Sequence, residues 1–167
     1  DTHHLLKIVN RNSQRLLMLI RQLLQIRKIE TGHQSVQVEL TETGPYIQGI
    51  CDSFEELAIK NKIIFTNDVK LKKPAWLDKE KLENVLYNLL SNAFKFTPEG
   101  ETITLRASSR KQDKIELLSI AVIDTGEGIA PEKIDKLFDR FLQLSESKKH
   151  KRAGTGIGLS MVKSLVD

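Results

Sequence analysis

Three groups of residues carry types and spacings that could do chemistry. The segment Asn88-Leu89-Leu90-Ser91-Asn92-Ala93-Phe94-Lys95-Phe96 places two amides four residues apart, with a lysine one turn further on. On a helix, Asn88 and Asn92 then project from one face. Their amide oxygens suit a hard cation such as Mg²⁺, which keeps some of its waters and binds through phosphates. Lys95 can neutralise phosphate charge. The surrounding Leu86, Leu89, Leu90 and Ala93 make the helix strongly apolar, and amides on such a helix need partners.

The second group is Asp124-Thr125-Gly126-Glu127-Gly128-Ile129. An ionised carboxylate only accepts hydrogen bonds, so Asp124 could take the exocyclic amine of adenine. Guanine has no amine at that position. A turn aspartate can also bond its own backbone. The third group is Gly154-Thr155-Gly156-Ile157-Gly158-Leu159-Ser160, opening the last helix. Glycines let the backbone come close, while the free N–H groups and positive dipole end of the helix face an anion. No Gly-Lys-Ser/Thr follows at the P-loop spacing, and the polar segment before it does not read as a Rossmann strand. Together the three groups point to a nucleotide-phosphate site.

The elements that must position these groups can be read from periodicity. Residues 4–30 form one long amphipathic helix, with Val9, Leu16 and Leu23 at heptad position a and Leu5, Asn12, Leu19 and Ile26 at d. Thr31-Gly32 ends it. Val36–Leu40 alternates as a strand. A helix follows with Pro45 in its first turn, running to about Asn61 and turning Ile47, Ile50, Phe54, Leu57 and Ala58 inward. A short strand covers residues 63–66. Asp78 caps a helix from Lys79 to Phe96, stopped by Pro98 and Gly100. Strands are expected near Thr102–Ser108 and Ile115–Ile123, joined by a loop at 110–114. The second should be a buried strand that delivers Asp124 at its end. A helix near Pro131–Leu142, a lysine-rich stretch at 145–152 and a final helix complete the chain. The fold class is α+β: a two-layer sandwich, a mixed sheet with helices on one face, led by a long coiled-coil-type helix.

Composition narrows the function classes. The net charge of +4 over 167 residues falls short of the dense basic stripe of a nucleic-acid binder, and the few aromatics do not interleave with Lys and Arg. No apolar run is long enough to span a bilayer, so membrane contact by this segment is not expected. The single cysteine, Cys51, lies among Ile47, Ile50 and Phe54 and reads as a core residue. The four histidines are not spaced as a zinc site.

These motifs resemble the catalytic, ATP-binding part of bacterial sensor histidine kinases, within the wider class shared with Hsp90, gyrase and MutL-like ATPases. Residues 88–96 match that family's N box and 124–129 its first glycine box. Phe138-Asp139-Arg140-Phe141 matches its F box, and 154–159 its second glycine box. The resemblance implies that Asn92 ligates Mg²⁺ with help from Asn88, that Lys95 meets the phosphates, and that Phe96 packs on adenine. It implies that Asp124 takes the adenine amine in a pocket shaped by Gly126 and Gly128. Gly154, Thr155, Gly156, Gly158 and Leu159 would close over the phosphates, with 145–153 as a lid. Where related ATPases carry a water-activating glutamate this chain has Asn88, and an amide cannot take a proton.

The opening helix resembles the second helix of a dimerisation and phosphotransfer hairpin. The implied organisation is 1–32 as part of that hairpin and 33–167 as the catalytic domain. Implied partners are ATP, a response-regulator receiver domain and a second copy through the hairpin. The implied place is a cytoplasmic segment of a membrane-anchored parent. The family's phosphoacceptor histidine and its final two strands have no counterpart here, so the resemblance implies a piece of a longer protein that does not autophosphorylate alone.

Overall fold

A computed structural model describes residues 35–113, 115–140, 142 and 156–166, together with Val9, Ser13 and Ile20, which are helical. The opening helix expected over 4–30 otherwise lies outside the described residues, as do the lysine-rich stretch, Gly154 and Thr155.

Strand β1 (Glu39–Thr41) starts three residues later than its alternation suggested; Val36 and Val38 are exposed. Helix α1 (Thr43–Asp52) follows and buries Ile47, Ile50 and Cys51. It does not continue to Asn61 as one helix. The Ser53 hydroxyl donates to the Ile50 carbonyl at 2.6 Å, and Phe54 N–H reaches back three residues to Cys51 at 2.9 Å. Such tightened bonds end a helix. A separate α2 (Glu55–Asn61) then keeps Phe54 and Ala58 inside but leaves Leu57 36% exposed, against expectation. Lys62 closes α2 in the left-handed conformation, with φ of 53°.

Strand β2 (Ile64–Lys70) is longer than the sequence suggested, and β3 (Ala75–Leu77) was not foreseen. β3 pairs antiparallel with β1, opposing Trp76 to Leu40. Helix α3 (Lys79–Phe96) has the limits read from sequence, and Asp78 caps it by accepting from Lys81 N–H at 3.0 Å. Strand β4 (Thr102–Gln112) runs parallel to β2 and antiparallel to β5 (Ile115–Asp124), giving a mixed sheet in the order β2-β4-β5. The ladder holds to Gln112 opposite Ile115, so the expected five-residue loop shrinks to a tight turn at Asp113, with φ of 48°. Aspartate tolerates that region.

Period-two alternation puts Ile103, Leu105 and Ala107 of β4 on the buried face. They meet Leu86, Leu90, Ala93 and Phe94 of α3 and the apolar side of α1. Phe94 joins the layers through Phe54, at 5.5 Å between centroids, and Phe65, at 5.3 Å edge-on. On the opposite face Thr66 and Thr104 are bonded across strands at 2.9 Å, with exposed Ile64 and Ile123 beside them. The α+β sandwich with helices on one face is therefore as expected.

Two further expectations fail. β5 is not buried: it is an edge among the described residues, and Ile115, Leu118 and Ile123 stay exposed. The helix expected at Pro131–Leu142 is only α4 (Pro131–Ile134). Beyond it the bonds reach back three residues, from Lys136 N–H to Lys133 at 3.2 Å and Asp139 N–H to Lys136 at 2.9 Å, a pattern that rarely sustains a long run. The last element, α5 (Gly158–Val166), lies against α3.

Tyr46 clips α1 to α3. Its hydroxyl sits 3.1 Å from both the Lys79 carbonyl and a Glu83 carboxylate oxygen. Burial first, and then the Glu83 hydrogen bond, push its pKa up to about 12. A phenol whose pKa is raised on folding adds stability that is full below its ordinary pKa and fades as pH rises through the folded value. Alkaline denaturation is therefore expected to gain a component between pH 10 and about 12. Tyr46→Phe should remove that component and cost about 1 kcal/mol at neutral pH. Denaturant melts across that range check both; an unchanged alkaline limb in the variant refutes the assignment.

Candidate functional site

The site is organised by α3. The Asn88 amide nitrogen donates to the Asn84 carbonyl one turn back, at 2.7 Å. That commitment fixes the side chain and turns its oxygen away from the helix's own backbone. The oxygen meets α5: a Cβ built on Gly158 would come within 2.8 Å of Asn88 Oδ1 and 3.9 Å of Asn92 Nδ2. Gly158 is therefore the point where the last helix begins against the asparagine face. Asn88 and Asn92 are both half-buried.

The approach of α5 is locally built. Gly156 takes a φ of 70°, open to glycine at little cost. Ile157 is buried, and its carbonyl accepts from the Ser160 hydroxyl at 2.8 Å and from Met161 N–H at 3.0 Å. Leu159 is half-buried. The N-terminal end of α5, with its positive dipole end, thus rests beside two amides.

The other end of α3 meets the first glycine turn. A Cβ on Gly126 would lie 2.7 Å from the Phe96 carbonyl oxygen and 2.8 Å from Asp124 Oδ1. Gly126 N–H donates to that Asp124 oxygen at 2.9 Å. Asp124 therefore makes the local turn bond, which uses one acceptor position of a carboxylate that has about four. Asp124 is exposed, Phe96 is 39% exposed, and Gly128 has a φ of 69°. Lys95 is half-buried, and burial pushes its pKa below the ordinary lysine value. Its ammonium lies 4.6 Å from the centroid of the Phe96 ring.

Thr125 is a residue that sequence reasoning passed over. Its hydroxyl donates to Glu101 at 2.6 Å and accepts from Thr102 N–H at 3.0 Å, pinning the Asp124 turn to the start of β4. Thr97 was missed too; its hydroxyl is buried without a hydrogen-bond partner among the described residues. In the F box, the Phe138 ring is capped by Lys163 of α5 at 5.6 Å. Among the described residues no group of three or more His, Cys, Asp or Glu could hold a metal ion, and no helix is long and apolar enough to cross a membrane.

The geometry gathers an anion-seeking helix end, two amides, an ammonium, an aromatic ring and an exposed carboxylate along one face and one end of a single helix. Residues 77–167 match the model of the histidine kinase-, DNA gyrase B- and HSP90-like ATPases. The chain belongs to that family. Its relatives there include hybrid signal transduction histidine kinase D of Dictyostelium discoideum, 35% identical over 96% of this chain and 10% of that one. Sensor histidine kinase WalK of Bacillus subtilis is 30% identical over 96% of this chain and 26% of its own. The chain thus spans a small part of the curated relatives it matches. Among solved structures, the Acinetobacter baumannii histidine kinase AdeS is 25% identical with a TM-score of 0.72, covering 96% of this chain and 71% of that one. Full-length ShkA in complex with AMPPNP shares the fold at 24% identity, with a TM-score of 0.76 over 90% of this chain and 30% of that one.

As a histidine kinase-type ATPase domain, the chain fits the resemblance seen in its motifs. Asn88, Asn92 and Gly158 come together on one face of α3. Lys95, Phe96, Asp124 and Gly126 come together at its end.

Proposed function

We propose that this chain is the part of a two-component sensor histidine kinase that binds Mg·ATP and presents its γ-phosphoryl to a histidine, for relay to a response-regulator aspartate. The observation that carries the reading is the convergence of both glycine motifs on α3, Gly158 against Asn88 and Gly126 against Phe96 and Asp124. No single motif would support it alone.

In this reading Asp124 accepts from the adenine amine, and Phe96 supplies an apolar face for the ring. Gly126 and Gly128 shape that pocket. The start of α5, with Gly156, Gly158 and Leu159, lies along the phosphates, and the same role is assigned to Gly154 and Thr155, which precede it in the sequence. Lys95 offsets phosphate charge. The Asn88 and Asn92 oxygens are neutral, hard donors beside the phosphate position, and so fit Mg²⁺, which binds through few protein groups. When bound, Mg²⁺ neutralises charge on the phosphate oxygens.

Because Asn88 is an amide, it cannot activate water. The chain's residues position and neutralise, which favours transfer to a placed acceptor over hydrolysis. An Hsp90-like or topoisomerase-like hydrolase is the less favoured reading for that reason. The organisation proposed with it is a helix hairpin including residues 1–32 that pairs two copies, and a catalytic domain over 33–167, in a cytoplasmic segment of a membrane-anchored parent.

The test is titration calorimetry of the folded chain with ATP and GTP, with and without Mg²⁺. Mg²⁺-dependent binding selective for ATP is expected. A folded chain that binds neither nucleotide, or both equally, overturns the reading. In a longer chain containing the hairpin, failure to label a histidine from γ-labelled ATP would refute the transfer step.

A further inference from the structure

The arrangement of Lys95 and Phe96 contains a conflict. Phe96 is an exposed ring on the residue whose carbonyl abuts Gly126, next to the Asp124 carboxylate. It is therefore a flat apolar surface on a residue that adjoins the group suited to read a base edge. Aromatic faces attract stacked bases and attract cations by the same π-electron density. Here the Lys95 ammonium already lies over that ring, 4.6 Å from its centroid. A base and an ammonium cannot occupy one face together.

Resting on the proposed function, we propose that Lys95 is a specificity-determining residue that covers the Phe96 shelf until a ligand's phosphates draw it away, so that the site selects nucleotides by phosphate content. Seating a base requires the ammonium to leave the ring. A nucleoside offers it nothing in return. A triphosphate offers a charge-assisted hydrogen bond, about twice as strong as a neutral one. Lys95 is also half-buried, and among the described residues it forms no ion pair that would hold it elsewhere. The same side chain thus opposes binding of the base alone and favours binding of base plus phosphates. A lysine that only contacted phosphate would affect ATP and leave adenosine untouched.

The two roles predict effects of opposite sign, read by NMR shift titration of the folded chain with adenosine and with Mg·ATP. Lys95→Ala should bind adenosine roughly threefold more tightly, the order expected for losing an exposed cation–π contact. It should bind ATP about tenfold more weakly, the scale of one charge-assisted bond. Lys95→Arg, which keeps a cation able to stack, should restore weak adenosine binding and most of the ATP affinity. ATP binding by the wild-type chain with adenosine affinity unchanged or weakened in Lys95→Ala overturns this inference alone. Absence of ATP binding by the folded wild-type chain overturns the proposed function and the inference with it.

Discussion

Gly126→Ala is expected to destabilise the domain by about 1–3 kcal/mol and to abolish measurable ATP binding, the range set by overpacking and unrelieved clashes. Its added methyl would meet the Phe96 carbonyl oxygen at 2.7 Å, that carbon at 3.3 Å and Asp124 Oδ1 at 2.8 Å. Two of those three atoms are backbone at the end of α3. That end cannot retreat, because Leu90, Ala93 and Phe94 lock it into the core and Thr97 N–H closes its last turn on Ala93 at 2.9 Å. Gly158→Ala makes the useful contrast. Its methyl meets Asn88 Oδ1 at 2.8 Å, the far end of a side chain held by a single bond to the Asn84 carbonyl, which can yield where backbone cannot. Stability should fall far less there, while the displaced amide lowers ATP affinity. Gly49→Ala, mid-helix with open space around it, should gain about 0.5–1 kcal/mol. Thermal and denaturant melts order the three variants. If Gly126→Ala melts with the wild type, the tight approach of the turn to α3 is wrong.

Sequence gave α3 to the residue because every local signal agrees there: the Asp78 cap, the apolar periodicity of Leu82, Leu86, Leu90 and Ala93, and the Pro98 stop. Where tertiary pairing decides, it was less legible. β3 holds three residues after a lysine-proline stretch and exists because β1 pairs with it. The split between α1 and α2 depends on the Ser53 hydroxyl choosing the Ile50 carbonyl, which the run of apolar residues does not reveal. The site shows the same division. Asn88, Asn92, Asp124 and the glycines were visible as types and spacings. That Gly158 presses on Asn88, and that Thr125 ties its turn to Glu101, are contacts between segments distant in the chain, and no local pattern encodes them.

Asp124→Asn separates the two roles of that side chain. One carboxylate oxygen accepts from Gly126 N–H at 2.9 Å, and an asparagine carbonyl oxygen can accept the same bond. The turn should therefore survive, with a melting temperature close to that of the wild type. The other oxygen becomes an NH₂ donor. Facing the adenine amine, donor meets donor, and a bond to a charged group is replaced by repulsion. Bonds to charged groups contribute about 1.5–3 kcal/mol, so ATP affinity should fall about 10- to 100-fold. Guanine presents a carbonyl oxygen where adenine has its amine, so the same substitution should raise GTP affinity and collapse the preference for ATP. Asp124→Ala loses the turn bond as well as the base contact, so it should weaken ATP binding and lower stability together. Calorimetry with both nucleotides, beside thermal melts of both variants, reads each part independently. Unchanged ATP affinity in a well-folded Asp124→Asn would reduce Asp124 to a turn residue and move base recognition elsewhere on the α3 surface.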